Sequence, residues 1–385
     1  MFLAGTLFAQ DSKVTTGVMK VESGKFQEGV QAIETGLSGG VKEKNVPKAY
    51  FYLAKGYAGM MGDTAVMNNN PDIVFKAKEA VVKTKETDMK GKYVKSLVLI
   101  EDNIHRTMFN QGATFYNGED YAKALPYLKG AQELVPDNVL YYLLLGYAQV
   151  SLSDTASAIN SLKGTLDIWN GLEPADRDSS LSGNILSTNL MLATLYNMYE
   201  KAPRKALDVL ASARKDYPTN EDLRNTELSI YQQNPELFEE ARGKFEKALK
   251  DDPKNNNVKL AFAALLTQNG EEDKGLDLYS QVLEGDPDNY QANVNVGAFY
   301  INEAVTAQKE YADTPSSEED KLAELETKFL DLLRKAYPHM EKAHASSPDN
   351  PEWINQLVTI ATSVPELIGD SKKWIEKQRA LRGGN

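Results

Sequence analysis

Small and large apolar residues recur along this chain at helical spacing. In "YAKALPYLKGAQELVPDN" (residues 121–138), Ala124, Leu128, Ala131 and Leu134 fall at i, i+4, i+7 and i+10. That spacing lies on one face of a helix. "LFEEARGKFEKALKDDPKN" (237–255) repeats it with Ala241, Phe245 and Ala248, and "KGLDLYSQVLEGDPDN" (274–289) with Gly275, Tyr279 and Val282. Small residues let two helices approach closely, and the large one fills the space between them.

Each of these segments ends at a similar triplet. Pro136-Asp137-Asn138, Pro218-Thr219-Asn220, Pro253-Lys254-Asn255, Pro287-Asp288-Asn289 and Pro348-Asp349-Asn350 punctuate the chain. Three of them are spaced 35 and 34 residues apart, from 218 to 253 to 287. The last gap is 61 residues, one period with 27 inserted, and the first is 82, two periods with 14 inserted. Proline cannot continue a helix, and Asp and Asn favour the turn and the next N-cap.

The helix ahead of each small–large–small segment has its own signature. "MFNQGATFYNGEDY" (108–121) carries Met108, Gly112 and Phe115 before a Gly118-Glu119-Asp120 turn. "YLLLGYAQV" (142–150) carries Tyr142-x2-Leu145-Gly146, and residues 296–300 read Val296-Gly297-x2-Tyr300. Together these positions resemble the tetratricopeptide repeat family, whose pattern is W-x2-L-G-x2-Y, then A-x3-F, then P. Residues 105–138, 139–169 and 256–300 match best, while 185–255 match mainly on the second helix. "TGVMKVESGKFQEGVQAIETGL" (16–37) fits with Gly17, Gly29 and Gly36 at the small sites, and "AYFYLAKGY" (49–57) fits as a first helix with Leu53-Ala54.

The resemblance implies an all-α fold, a right-handed superhelical α–α solenoid of helix hairpins, with about eight repeats. The expected organisation is an N-terminal array over residues 10–168, a linker or hinge over 169–184, a C-terminal array over 185–350, and capping helices over 351–385. Two segments break the period besides that linker. Residues 58–71 stretch one turn into a loop bearing Met60, Met61 and Met67. Near 301–335 the helices lengthen, with spans predicted at about 291–312 and 318–345 and a capping box at Ser317-x2-Asp320. Leu322, Leu325, Phe329, Leu332, Leu333, Ala336, Met340 and Ala343 give the second of these one apolar face. Such a hairpin projects from an ordinary repeat and is a natural contact point.

Composition narrows the chemistry. The chain has no Cys, which excludes disulfides, zinc thiolate sites and thiol nucleophiles. Its formal net charge is −12, a surface that repels nucleic acid. Charge is unevenly spread: residues 1–100 hold 14 Lys against 10 Asp and Glu. No run of about 18 apolar residues occurs, so no membrane-spanning helix is expected. The opening "MFLAGTLFAQD" resembles the end of a secretory signal peptide cleaved after Ala9, although the basic n-region is missing and Leu7 stands where a small residue is usual. The expectation is a signal-peptide remnant over residues 1–9 and a periplasmic or secreted protein. The alternative is a first helical turn and a cytoplasmic one.

Candidate catalytic groups are few. His105, His339 and His344 read as lone surface histidines, the last two spaced poorly for a shared metal. Phosphate-cradling and nucleophile-elbow glycine motifs do not occur. Asp286, Asp288 and Asn289 suggest a calcium loop. An EF-hand begun at Asp286 needs Gly at position 291 and Glu at position 297, where the chain has Gln291 and Gly297. The cluster is read instead as a joint, with Pro287 as the stop, Asn289 as the cap and Gly297 as a close helix contact. No enzyme activity, metal or cofactor is expected.

Binding remains. In the family, first helices line a concave face, which implies a groove bordered by Phe51 and Lys55, by Phe109, Ala113 and Tyr116, by Leu143, Tyr147 and Val150, and by Val294, Ala298 and Ile301. Leu143, Phe109 and Val294 stand where family members that clamp chaperone tails carry Lys, so that mode is not expected. The implied function is a scaffold that binds protein or peptide partners and supports a multiprotein complex. The alternative is a module for carbohydrate or another cell-envelope ligand, and a third reading is an enzyme subunit whose active site is not legible.

Overall fold

The computed structural model describes residues 2–383. Nineteen α-helices and six 3-10 turns form among the described residues, and no strand. The chain divides into two compact units, Met1–Asn220 and Glu221–Asn385; residues 169–184 lie inside the first.

The first unit is a succession of hairpins. Helix α1 (Phe2–Glu22) packs on α2 (Phe26–Ser38). Helix α3 (Val46–Met60) is followed by the six-residue α4 (Thr64–Asn69) and packs on α5 (Ile73–Thr87). Then come α6 (Val98–Asn117) with α7 (Tyr121–Leu134), α8 (Val139–Ser151) with α9 (Thr155–Gly171), and α10 (Ser182–Met198) with α11 (Pro203–Asp216). One buried cluster runs from Val14 on α1 to Tyr141 on α8, so each hairpin covers the apolar side of its neighbour, as stacked repeats must.

In the second unit, α12 (Glu221–Gln233) and α13 (Phe238–Asp251) precede α14 (Asn256–Gln268) with α15 (Glu272–Gly285). The long pair follows, α16 (Tyr290–Asp313) with α17 (Glu319–Ser346), and then α18 (Pro351–Ser363) with α19 (Ile368–Gly383).

The triplets act as expected. The five helices that precede them stop at Leu134, Asp216, Asp251, Gly285 and Ser346, each two residues before the proline. The Asn side chains of four triplets then cap the next helix. Asn138 accepts from Tyr141 N, Asn255 from Val258 N, Asn289 from Ala292 N and Asn350 from Glu352 N. A cap of this kind contributes about 1 kcal/mol. The tighter turn inside a hairpin uses another device. Gly24, Glu119, Ser153, Lys201 and Gly270 all have φ between 50° and 82°, and each directly precedes the N-cap of a second helix. Only two of the five are glycine, so three turns hold a side chain in the left-handed region at about 1–2 kcal/mol each.

Glycines on the first helices lie where second helices come closest. A Cβ on Gly146 would sit 2.8 Å from Leu162 Cδ2 and 3.3 Å from its backbone nitrogen; one on Gly112 would meet Leu128 at 2.8 Å. Both leucines are fully buried. The small–large–small pattern is therefore this interlock, seen from the second helix.

Two expectations fail. Residues 58–71 are not an open loop: within them Thr64–Asn69 fold as α4, capped by Asp63, which accepts from Ala65 N and Val66 N, and bury Met67. The cap and one apolar anchor suffice to order them. The capping box at Ser317 does not form either, because α17 begins one residue later with Glu318 at the N-cap and no side-chain cap bond.

Candidate functional site

The implied groove residues fall into two groups. Some are consumed by packing between hairpins. Leu143 is 1% exposed and offers no surface. Phe51 is buried and stacks on Tyr93, with ring centroids 5.2 Å apart. Phe109 stacks on Tyr141 at 4.7 Å, and the Tyr141 hydroxyl meets His105 Nδ1 at 2.8 Å. Tyr147 donates to Asn184 O at 3.0 Å and lies 3.2 Å from Thr188 Oγ1, tying α8 to α10. The contacts of Phe109 and Tyr147 join one first helix to the next, and that of Phe51 joins α3 to the segment after α5.

The second group keeps a free side. Lys55 is exposed, and its ammonium lies 5.7 Å from the Tyr52 ring. Ala113, Tyr116 and Val150 are half-buried on α6 and α8. On α16, Val294 and Ile301 pack partly against the core beneath α17 and α18, while Ala298 between them is exposed. Each unit thus presents an apolar strip on a first helix, interrupted by residues that have turned inward.

Tyr93, which covers Phe51, was not identified from sequence. It sits in the segment after α5, where Asp88 Oδ2 accepts from Tyr93 N at 2.5 Å and from Val94 N at 3.2 Å. Burial pushes the Asp88 carboxyl up, but the backbone donors together outweigh it and hold the group below the usual carboxylate range. The same segment exposes Met89, Val98 and Leu99, at 91%, 63% and 82%. A hydrophobic cluster flanked by Lys90, Lys92 and Lys95 is the sequence signal that could have drawn notice to it.

Two family models, both described as tetratricopeptide repeat, match residues 109–172 and 236–294. Over those two stretches the chain is similar to the tetratricopeptide repeat family. No curated protein matches it. Solved structures resemble it at low identity. A tetratricopeptide repeat protein from Parabacteroides merdae is 18% identical, with a TM-score of 0.36, covering 66% of this chain and 98% of that one. A TPR repeats protein from Bacteroides fragilis is 14% identical, with a TM-score of 0.34, covering 68% and 99%. YrrB, described as a TPR protein with an unusual peptide-binding site, is 18% identical, with a TM-score of 0.34, covering 52% and 95%. These scores are too low for the likenesses to inform the function of this chain.

The joint at 286–297 reads as structure. Asn289 caps α16 while its amide donates to Asp286 Oδ2 at 3.0 Å. Asp288 pairs with Lys342 at 3.3 Å, and a Cβ on Gly297 would meet Met340 Sδ at 2.5 Å. Asp286 is therefore engaged within the joint, and Asp288 by Lys342 on α17. Among the described residues no group of three or more His, Asp or Glu side chains is placed to hold a metal, and no helix is long and apolar enough to cross a membrane.

The histidines are not lone surface residues. His105 is half-buried against Tyr141, His339 Nδ1 lies 2.9 Å from Asn293 Oδ1, and His344 is 4% exposed against the edge of Trp374. Burial pushes all three imidazoles below their ordinary value. Their contacts differ: Tyr141 for His105, Asn293 and Tyr300 for His339, and Trp374 for His344.

The long hairpin spans the predicted ranges within a residue or two. At 1.5 Å per residue α17 is about 42 Å long. Ala304, Ala307 and Leu325 zip its two helices together, while residues 308–313 and 315–321 at its tip are exposed. Tyr311 and Val305 stay open at 41% and 56%.

Proposed function

We propose that this protein is a non-enzymatic scaffold that binds protein or peptide partners along the first-helix faces of its repeats and supports assembly of a multiprotein complex. Tetratricopeptide repeats are in general protein-binding scaffolds, and the observation that carries the reading here is the apolar surface left open on α6 and α8 in the first unit and, separately, on α16 in the second. Tyr116, Val150, Ala298 and Ile301 supply it, and an extended or helical segment with apolar anchors fits such a surface. Phe51, Leu143 and the Tyr147 hydroxyl act behind it, holding the helices in place.

The carbohydrate alternative needs exposed rings beside amides. The polar cleft between α2, α3, α4 and α5, of about 530 Å³, has the amides in Gln27, Gln31, Asn69 and Asn70. Its aromatic residue, Tyr57, is 5% exposed with its hydroxyl donated to Glu34, so no ring face is offered for stacking. This favours the peptide reading.

Export is part of the proposal. It rests on Met1–Ala9, and the side chains of residues 1–8 lie outside the described residues. N-terminal sequencing of the native protein tests it: a start at or near Gln10 in an exported fraction supports it, and an intact Met1 in the cytosol overturns it. The scaffold reading is tested by affinity capture with the parent chain and with a Val150→Asp/Ala298→Glu variant. Proteins retained by the parent and lost by the variant are expected.

A further inference from the structure

The chain carries −12, yet one pocket in it gathers positive charge. It lies between α17 and α19, on second helices, away from the open first-helix strip. Its volume is about 600 Å³, and Lys342, Lys373, Lys377, His344 and Trp374 line it with a single carboxylate, Glu341.

The three ammonium groups differ in what they already hold. Lys342 donates to Pro287 O at 2.6 Å and pairs with Asp288 at 3.3 Å. Lys373 sits 4.2 Å from the Trp374 ring centroid and reaches Glu341 only at 3.7 Å. Lys377 sits 5.0 Å from the same ring and donates to His344 Nε2 at 2.9 Å. Among the described residues it has no carboxylate partner. Its acceptor is the His344 imidazole, which burial, Lys377 and Lys373 push below its ordinary value against a smaller upward pull from Asp349.

Lys377 is therefore a cation fixed in place before any anion arrives. Trp374, 1% exposed, is immobile beneath it, and His344, packed edge-on against Trp374 with ring centroids 5.1 Å apart, orients its head. A preorganised donor saves the side-chain ordering that anion binding otherwise costs. Lys373, weakly held by Glu341, adds a second ammonium on the same ring.

We propose that this pocket binds a carboxylate of an acidic peptide segment, with Lys377 and Lys373 as its donors. Two features favour this over a phosphate. The donors are ε-ammonium groups alone, without an arginine fork or a row of backbone amides to wrap a phosphate. The exposed walls include Pro338, Ala345 and Pro348, which the stem and neighbours of an acidic side chain can cover and a bare phosphate cannot. The site uses none of the groove residues, so it stands whether or not the first-helix strip binds anything.

The test is fluorescence anisotropy of a fluorescein-labelled glutamate–leucine peptide titrated with the full chain at low salt. The parent is expected to bind, and Lys373→Glu/Lys377→Glu to bind about tenfold more weakly or worse, a loss of about 1.4 kcal/mol. Lys247→Glu/Lys250→Glu, an equal charge change on α13, is expected to leave binding unchanged, and so is the presence of millimolar inorganic phosphate. A glutamine–leucine peptide should not bind. If circular dichroism shows the reversal at 373 and 377 unfolded, Lys373→Gln/Lys377→Gln replaces it. The proposal is overturned if the parent fails to bind the acidic peptide, if Lys373 and Lys377 can be replaced without loss, if the α13 reversal weakens binding equally, or if phosphate displaces the peptide.

Discussion

The interlock between Gly146 and Leu162 can be tested by the same substitution at two glycines. Replacing a mid-helix glycine by alanine gains about 1 kcal/mol of helix propensity when nothing obstructs the new methyl group. A Cβ on Gly243, inside α13, would meet nothing within 4 Å, so Gly243→Ala should stabilise the chain by about that amount. Gly146, inside α8, has the same propensity to gain. Its Cβ would meet Leu162 Cδ2 at 2.8 Å, Leu162 Cγ at 3.1 Å and Leu162 N at 3.3 Å. The leucine is fully buried, so it cannot rotate into solvent, and its backbone moves only if α9 moves. Overpacking of this kind costs about 1–3 kcal/mol. The balance for Gly146→Ala is a net loss of about 1 kcal/mol, leaving the two variants about 2 kcal/mol apart. Urea titration followed by far-ultraviolet circular dichroism reads each against the parent. If Gly146→Ala stabilises the chain as Gly243→Ala does, the helices are not in the contact described, and the account of the small–large–small pattern fails.

Other outcomes follow from the joints and the buried imidazoles. Asn289→Ala should cost about 1 kcal/mol by removing the α16 cap, measured by the same titration, and Asn255→Ala should behave alike at α14. Ser153→Gly should stabilise by up to about 1 kcal/mol, because it relieves a side chain held in the left-handed region; an unchanged midpoint would contradict the assigned turn. The three histidines all have folded-state values lowered by burial from 6.5, so in the window just below 6.5 the unfolded chain binds more protons. Their contribution to stability is complete above that value and declines as the pH falls through it. His344→Gln should flatten this decline in urea titrations between about pH 7.5 and 5.5. A separate loss belongs to lower pH, where Glu271, pulled down to about 2 by Arg242 and Lys274, becomes protonated. Glu271→Gln should remove that loss and leave the histidine window untouched.

The parts of the fold that were legible depend on neighbours in the sequence. A proline stops a helix locally and an asparagine caps the next one, so the joints at 136–138, 253–255, 287–289 and 348–350 could be read residue by residue. The long hairpin could be read too, because its apolar face on α17 continues past the usual length. What could not be read depends on groups that arrive from elsewhere in the chain. Leu143 and Phe51 share the spacing of groove residues, but whether such a position faces solvent is decided by the next hairpin, and for Phe51 by Tyr93 more than 40 residues away. His344 looked like a surface residue because Trp374 and Lys377, which enclose it, lie on α19. The short α4 was missed because Asp63 and Met67 are a weak signal until the core that receives Met67 is known.

The central claim is that the open first-helix strip binds protein partners. Affinity capture from the native organism's extract, quantified by mass spectrometry for the parent chain and the Val150→Asp/Ala298→Glu variant at matched folding, tests it most directly. The account predicts a discrete set of proteins enriched by the parent and depleted several-fold with the variant. Equal recovery of the same proteins by both chains, or no enrichment with the parent, would contradict it.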